Sequence, residues 1–91
     1  SVAALPESET AKANSIPLAE LVYDQKAEIV LLDEAVQGFT RRRFLDLGLT
    51  PGTLIYPELK NFFGDPRAYR VRGTLIALRK DQAAQIWVKP V

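Results

Sequence analysis

The sequence predicts a mainly β domain: a small, partly open, five-stranded barrel with one short helix inserted after the first strand. Three observations carry that expectation. Short apolar runs recur at 27–33, 53–60, 67–72, 74–79 and 86–89, each of strand length and not helix length. Turn chemistry separates them, at Pro51-Gly52, at Gly64-Asp65-Pro66 and at Gly73. Only the stretch RRRFLDLGLTPG at 41–52 has a helical stripe, with Phe44 and Leu47 three apart and Leu45 beside them. Closing short strands into a barrel limits the edges left exposed.

Taken in order, residues 1–15 are small and polar without sustained periodicity, and read as a flexible tail or linker ahead of a domain at 16–91. The missing initiator Met suggests a processed chain or a domain cut from a longer one. Ile16-Pro17 opens a short helical turn with Pro17 near its first position and Leu18, Leu21 and Val22 as its apolar residues. The first strand, AEIVLLD, sets Ile29 and Leu31 on one face and Val30 and Leu32 on the other. Thr40 is the expected N-cap for the helix, which places Arg41, Arg42 and Arg43 in its first turn. Cations there oppose the helix dipole at about 0.3–1 kcal/mol each, so they point to a role other than folding. Gly48 is expected in the left-handed C′ position, with Leu49 folding back onto Phe44 as in a Schellman stop. Pro51-Gly52 supplies the centre of a type II turn.

Pro57 assigns the second strand to a sheet edge or a bulge, since it cannot donate to a ladder. Phe62 and Phe63 are adjacent and cannot both face one core, so at least one belongs at a loop tip. In RAYRVR, Tyr69 and Val71 point inward while Arg70 and Arg72 point out. Leu75 to Leu78 is apolar on both faces, as the most buried strand would be. Asp81 to Gln85 forms one helical turn with Ala83 inward. In the last strand Ile86 and Val88 share a face and Trp87 takes the other.

Composition excludes several functions. Ninety-one residues make one domain with one small core. No run reaches the ~18 apolar residues of a membrane helix, so direct membrane insertion is not expected. Cys, His and Met are all absent. Disulfide chemistry, a His-dependent nucleophile, and zinc, copper or iron–sulfur centres built on soft ligands are therefore ruled out, and no cofactor is expected. No P-loop sequence is present, so no nucleotide is bound that way. The net charge of +1 hides a segregation: residues 1–36 hold seven acids and two bases, and residues 37–91 ten bases and four acids. That pattern fits complementarity between the two halves of one domain, or a basic face for an acidic partner. Nucleic acid is not the expected partner, because a pI near 8.0 lies below the value of about 9 usual for such domains.

The ordered set RRRFLDLGLTPGT, GDP, VRG and IALR resembles the FeoA family of bacterial ferrous iron transport proteins, over about residues 17–89. The resemblance implies an SH3-like barrel, no enzymatic activity and a cytoplasmic location. It also implies an accessory or regulatory role beside an FeoB-type membrane transporter with a cytoplasmic GTP-binding domain. The alternative is the FeoA-like C-terminal domain of a DtxR-type metal-dependent repressor. Arginines and exposed aromatics anchor interfaces, so Phe39, Arg41, Arg42, Phe62, Phe63 and Arg72 are the expected partner-contacting residues.

Overall fold

A computed structural model describes residues 12–58 and 64–91. Among them are six strands: β1 (Ile16–Pro17), β2 (Ala27–Leu32), β3 (Leu54–Pro57), β4 (Arg67–Val71), β5 (Thr74–Leu78) and β6 (Ile86–Pro90). Helix α1 (Gly38–Asp46) lies between β2 and β3, and the short helix α2 (Lys80–Ala83) between β5 and β6. The strands form one sheet in the order β1-β6-β2-β3-β4-β5, with every pairing antiparallel. The sixth strand is the difference from the five expected. Ile16 and Pro17 pair with Val88 and Trp87 before the chain enters a 3-10 turn at Leu18–Glu20.

The core shows how the sheet is shaped. Leu18, Ile29, Ile55, Val71, Ile86 and Val88 are fully buried, and they belong to a single apolar cluster. Side chains from β2, β3, β4, β5 and β6 meet in this one cluster together with Leu18 and Phe44, so the sheet has a single apolar interior as a small barrel-like domain requires. The ladder does not close, and β1 and β5 lie at its two ends.

Several local expectations change in physical terms. In β2 the alternation slips: Ala27, Ile29 and Leu32 are buried, because the register with β6 shifts between Ile29 and Leu31. Pro57 lies on neither an outer strand nor a bulge. Glu58 donates its amide to the Ala68 carbonyl at 2.9 Å, so Pro57 faces the other way, toward β2, whose pairing with β3 stops at Ala27. The missing donor thus falls where no ladder partner stands. The sheet order also overturns the reading of β5 as the most buried strand. It is an outer strand, with Ile76 and Leu78 inward, and Leu75 and Ala77 exposed.

Two turns explain short sequence motifs. Thr50 to Thr53 closes with the Thr53 amide donating to the Thr50 carbonyl at 3.1 Å, and Gly52 takes φ +90° as a type II turn requires. Asp65 accepts the Lys80 amide at 3.0 Å through Oδ1, so the acidic residue of Gly64-Asp65-Pro66 satisfies one of the orphan donors that open α2. The Gln82 side chain accepts the Arg79 amide at 2.9 Å.

Candidate functional site

Helix α1 buries little. Phe44 is its one buried residue, with Leu47 half-buried just beyond it. The C-terminal end is closed by backbone bonds. The Leu49 amide donates to the Phe44 carbonyl and the Gly48 amide to the Leu45 carbonyl, both at 3.0 Å, with Gly48 at φ +93°. These are the two bonds of a Schellman motif, and the Phe44 and Leu49 side chains are both buried, as expected.

The other end differs from the sequence expectation. The helix begins at Gly38, with Gln37 and not Thr40 at the N-cap and no capping side-chain bond. The Gln37 amide group instead donates to the Glu34 carbonyl at 3.1 Å. Starting earlier moves the arginines along the helix. Arg41 is the fourth helical residue, and Arg43 lies in the last turn. The dipole penalty expected for all three arginines therefore remains only at Arg41, which closes the first turn, and at Arg43 the sign is favourable.

Phe39, in the first turn, is 93% exposed. Arg41, Arg42 and Arg43 are all exposed. Two shallow depressions flank this ridge. One is lined by Phe39, Arg42, Arg43, Asp46 and Leu47, the other by Gly38, Arg41, Arg42, Leu45 and Asp46. Arg42 lines both. Among the described residues, the ion pairs are Lys12 with Asp33 and Glu34, Arg70 with Glu58, and Arg79 with Asp81. None involves the α1 arginines or Arg72.

The structure thus brings Phe39, Arg41 and Arg42 together. Arg72 stands apart from them, at the far end of the helix. Val71 and Thr74 pair across it, and Arg72 and Gly73 form the connecting turn, both with positive φ. A Cβ placed on Gly48 would lie 3.1 Å from Arg72 Cδ, so the arginine stem covers the helix stop. Phe62 and Phe63 lie outside the described residues. Sequence reasoning passed over Leu54 and Tyr56, which are 39% and 42% exposed on either side of buried Ile55. The alternation of that strand carried the signal. They line a groove with Pro51, Thr53 and Arg72.

A second polar cluster lies on β6. Trp87 Nε1 donates to Asp33 Oδ2 at 3.2 Å, and Lys12 Nζ is 3.4 Å from the same oxygen and 5.5 Å from the indole centre. Asp33 Oδ1 accepts the Ala35 amide at 3.0 Å. These bonds, that amide first among them, hold the Asp33 carboxyl below its ordinary pKa. The Tyr69 hydroxyl is buried near Arg67, and among the described residues no partner meets full hydrogen-bond geometry with it. Burial raises its pKa, partly offset by the charge of Arg67. Among the described residues no group of three acidic side chains gathers as a metal site would need, and no helix is long and apolar enough to cross a membrane.

The FeoA domain model matches residues 16–90. The NMR structure of an FeoA-like protein from Clostridium acetobutylicum is 35% identical, with a TM-score of 0.72 over 86% of this chain and 88% of that one. Zinc-complexed FeoA from Stenotrophomonas maltophilia, a prokaryotic SH3-domain protein, is 25% identical with a TM-score of 0.67, over 79% of this chain and 87% of that one. A manganese-dependent transcriptional repressor shares the fold at 14% identity and a TM-score of 0.72, but this chain spans only 42% of its length. No protein of curated function matches the chain. The match over residues 16–90, joined to the SH3-like fold and the Schellman-closed helix, makes this chain a member of the FeoA family.

Proposed function

We propose that the chain is a non-enzymatic binding module of ferrous iron uptake, which docks the exposed face of α1 on an acidic surface of its partner. The partner that fits is the cytoplasmic GTP-binding part of an FeoB-type transporter. The observation that carries this reading is Phe39, 93% exposed beside arginines that make no ion pair among the described residues. Burying one Phe contributes about 1.5–3 kcal/mol. Unpaired guanidiniums add encounter rate and orientation against an acidic surface. Titrating the cytoplasmic domain of an FeoB-type transporter with the chain tests the proposal. Saturable binding that weakens with Phe39→Ser supports it, and absence of binding at low salt counts against it.

A second reading is the regulatory domain of a metal-dependent repressor. It is favoured by the fold shared with the manganese-dependent repressor, of which this chain spans 42%. A helix-turn-helix segment upstream in the same reading frame would decide for it.

A further inference from the structure

The two ends of the sheet are built differently. Exposed strand edges invite pairing with other chains, and proteins blunt them with short strands, prolines, bulges or charges. At one end, β1 is two residues long and one of them is Pro17. At the other end, β5 has the sequence Thr-Leu-Ile-Ala-Leu, five residues without charge or proline. Its register with β4 runs from Thr74 to Leu78 without a shift.

The hydrogen-bond parity shows which groups stand free. The Glu58 amide donates to the Ala68 carbonyl at 2.9 Å, so Ala68 and Arg70 turn their backbone groups to β3. Arg67, Tyr69 and Val71 then face β5, where their partners are Leu78, Ile76 and Thr74. The N–H and C=O groups of Leu75 and Ala77 are left on the side where no strand pairs among the described residues. Leu75 is also 48% exposed, beside Arg70 and, one strand further, Tyr56.

Charge decides what can pair there. Arg72 precedes the strand and Lys80 follows it, both exposed and without ion pairs among the described residues. Arg79 is engaged by Asp81 at 3.3 Å. Two copies of β5, joined antiparallel about Ile76, would bring the turn that carries Arg72 in each toward the start of α2, with Lys80, in the other. Like charges brought close repel, so the ends of the strand disfavour self-association. The same two cations favour an extended segment with acidic ends.

We propose that β5 is a docking edge that receives an extended protein segment, apolar or β-branched at its centre and acidic at its ends, as a seventh strand. Backbone bonds to Leu75 and Ala77 would supply affinity, and Arg72 and Lys80 would select the charged ends. This surface meets α1 only at its C-terminal stop, where the Arg72 stem lies over Gly48, and not at the Phe39 end.

The test is selection of random decapeptides, displayed on phage, against the immobilised full chain. Selected peptides are then made synthetically and followed by amide hydrogen exchange. The expected result is enrichment of β-branched centres flanked by Asp or Glu, with exchange at Leu75 and Ala77 slowed about tenfold or more in the complex. Ala77→Pro removes an edge donor that β4 does not use, and Leu75→Lys places a charge on the edge. Each should abolish binding while the chain keeps its circular dichroism. If the proline variant fails to fold, the lysine variant carries the test. Arg72→Gln with Lys80→Gln should weaken binding about tenfold and flatten its salt dependence. The proposal is overturned if no peptide is enriched, if enriched peptides lack acidic ends, or if they bind the edge variants as tightly. It is also overturned if protection of Leu75 and Ala77 rises with the concentration of the chain alone, which would make a second copy the occupant.

Discussion

The two ends of helix α1 differ in kind. At the C-terminal end the chain closes on its own contacts: Gly48 turns the chain, Leu49 returns to Phe44, and the Arg72 stem lies over the turn. At the N-terminal end no side chain caps the helix and Phe39 stands in solvent. Nine residues thus separate an end specified by folding from an end that folding does not use. An exposed aromatic, and arginines without ion pairs among the described residues, are informative when the same element is tightly determined elsewhere.

The largest expected effect breaks the folded end. Gly48→Ala and Gly52→Ala both place a side chain at φ near +90°, a strain of about 1–3 kcal/mol. At Gly52 the added Cβ meets nothing within 4 Å, whereas at Gly48 it lies 3.1 Å from Arg72 Cδ. Chemical denaturation should therefore show both variants destabilised, Gly48→Ala more so, with the excess reduced when Arg72→Ala is added. Equal losses would mean that the arginine stem yields freely and does not support the stop.

A smaller effect is expected at the Asp65 bond to the Lys80 amide. Removing that acceptor by Asp65→Ala should cost about 1 kcal/mol, read as a lower midpoint in urea. A loss within error would show that water replaces the carboxylate.

The Asp33 cluster gives a pH-dependent comparison. Its carboxyl is held below the ordinary aspartate value in the folded chain. A depressed folded pKa stabilises the protein above the ordinary value, and that stability is lost as pH falls through the folded one. The wild type should therefore lose stability more steeply than Asp33→Asn on acidification below about pH 4. Parallel curves would show that the bonds to Ala35, Trp87 and Lys12 contribute nothing in solution.

How much of this was legible in the sequence follows from the range of each interaction. The Schellman stop and the Thr50–Thr53 turn were readable because Gly48, Leu49, Pro51 and Gly52 each act within a few residues. The inward faces of Tyr69, Val71, Ile86 and Val88 followed from period-two alternation. Strand order was not readable, because apolar residues on both faces of β5 do not say whether another strand covers it. The start of α1 was missed because Gly38 at φ +61° belongs to a residue type that usually marks a turn. The slip in β2 depends on its register with β6, more than fifty positions away in the chain. Within the candidate site, Phe39, Arg41 and Arg42 were found from residue type, but their place on the helix required its true beginning.

The smallest expected effect on stability belongs to the exposed end. Arg41→Gln with Arg42→Gln removes two cations that make no ion pair among the described residues, so the unfolding free energy should change by less than about 0.5 kcal/mol. A loss of several degrees in the thermal midpoint would make these arginines structural.

The most direct test of the account uses the same double variant. Its binding to the cytoplasmic domain of an FeoB-type transporter would be followed at two ionic strengths. The account predicts an unchanged fold, a lower association rate at low salt, and a shallower fall of that rate as salt is added. Association at the wild-type rate, with the wild-type salt dependence, would contradict it and move the partner surface away from α1.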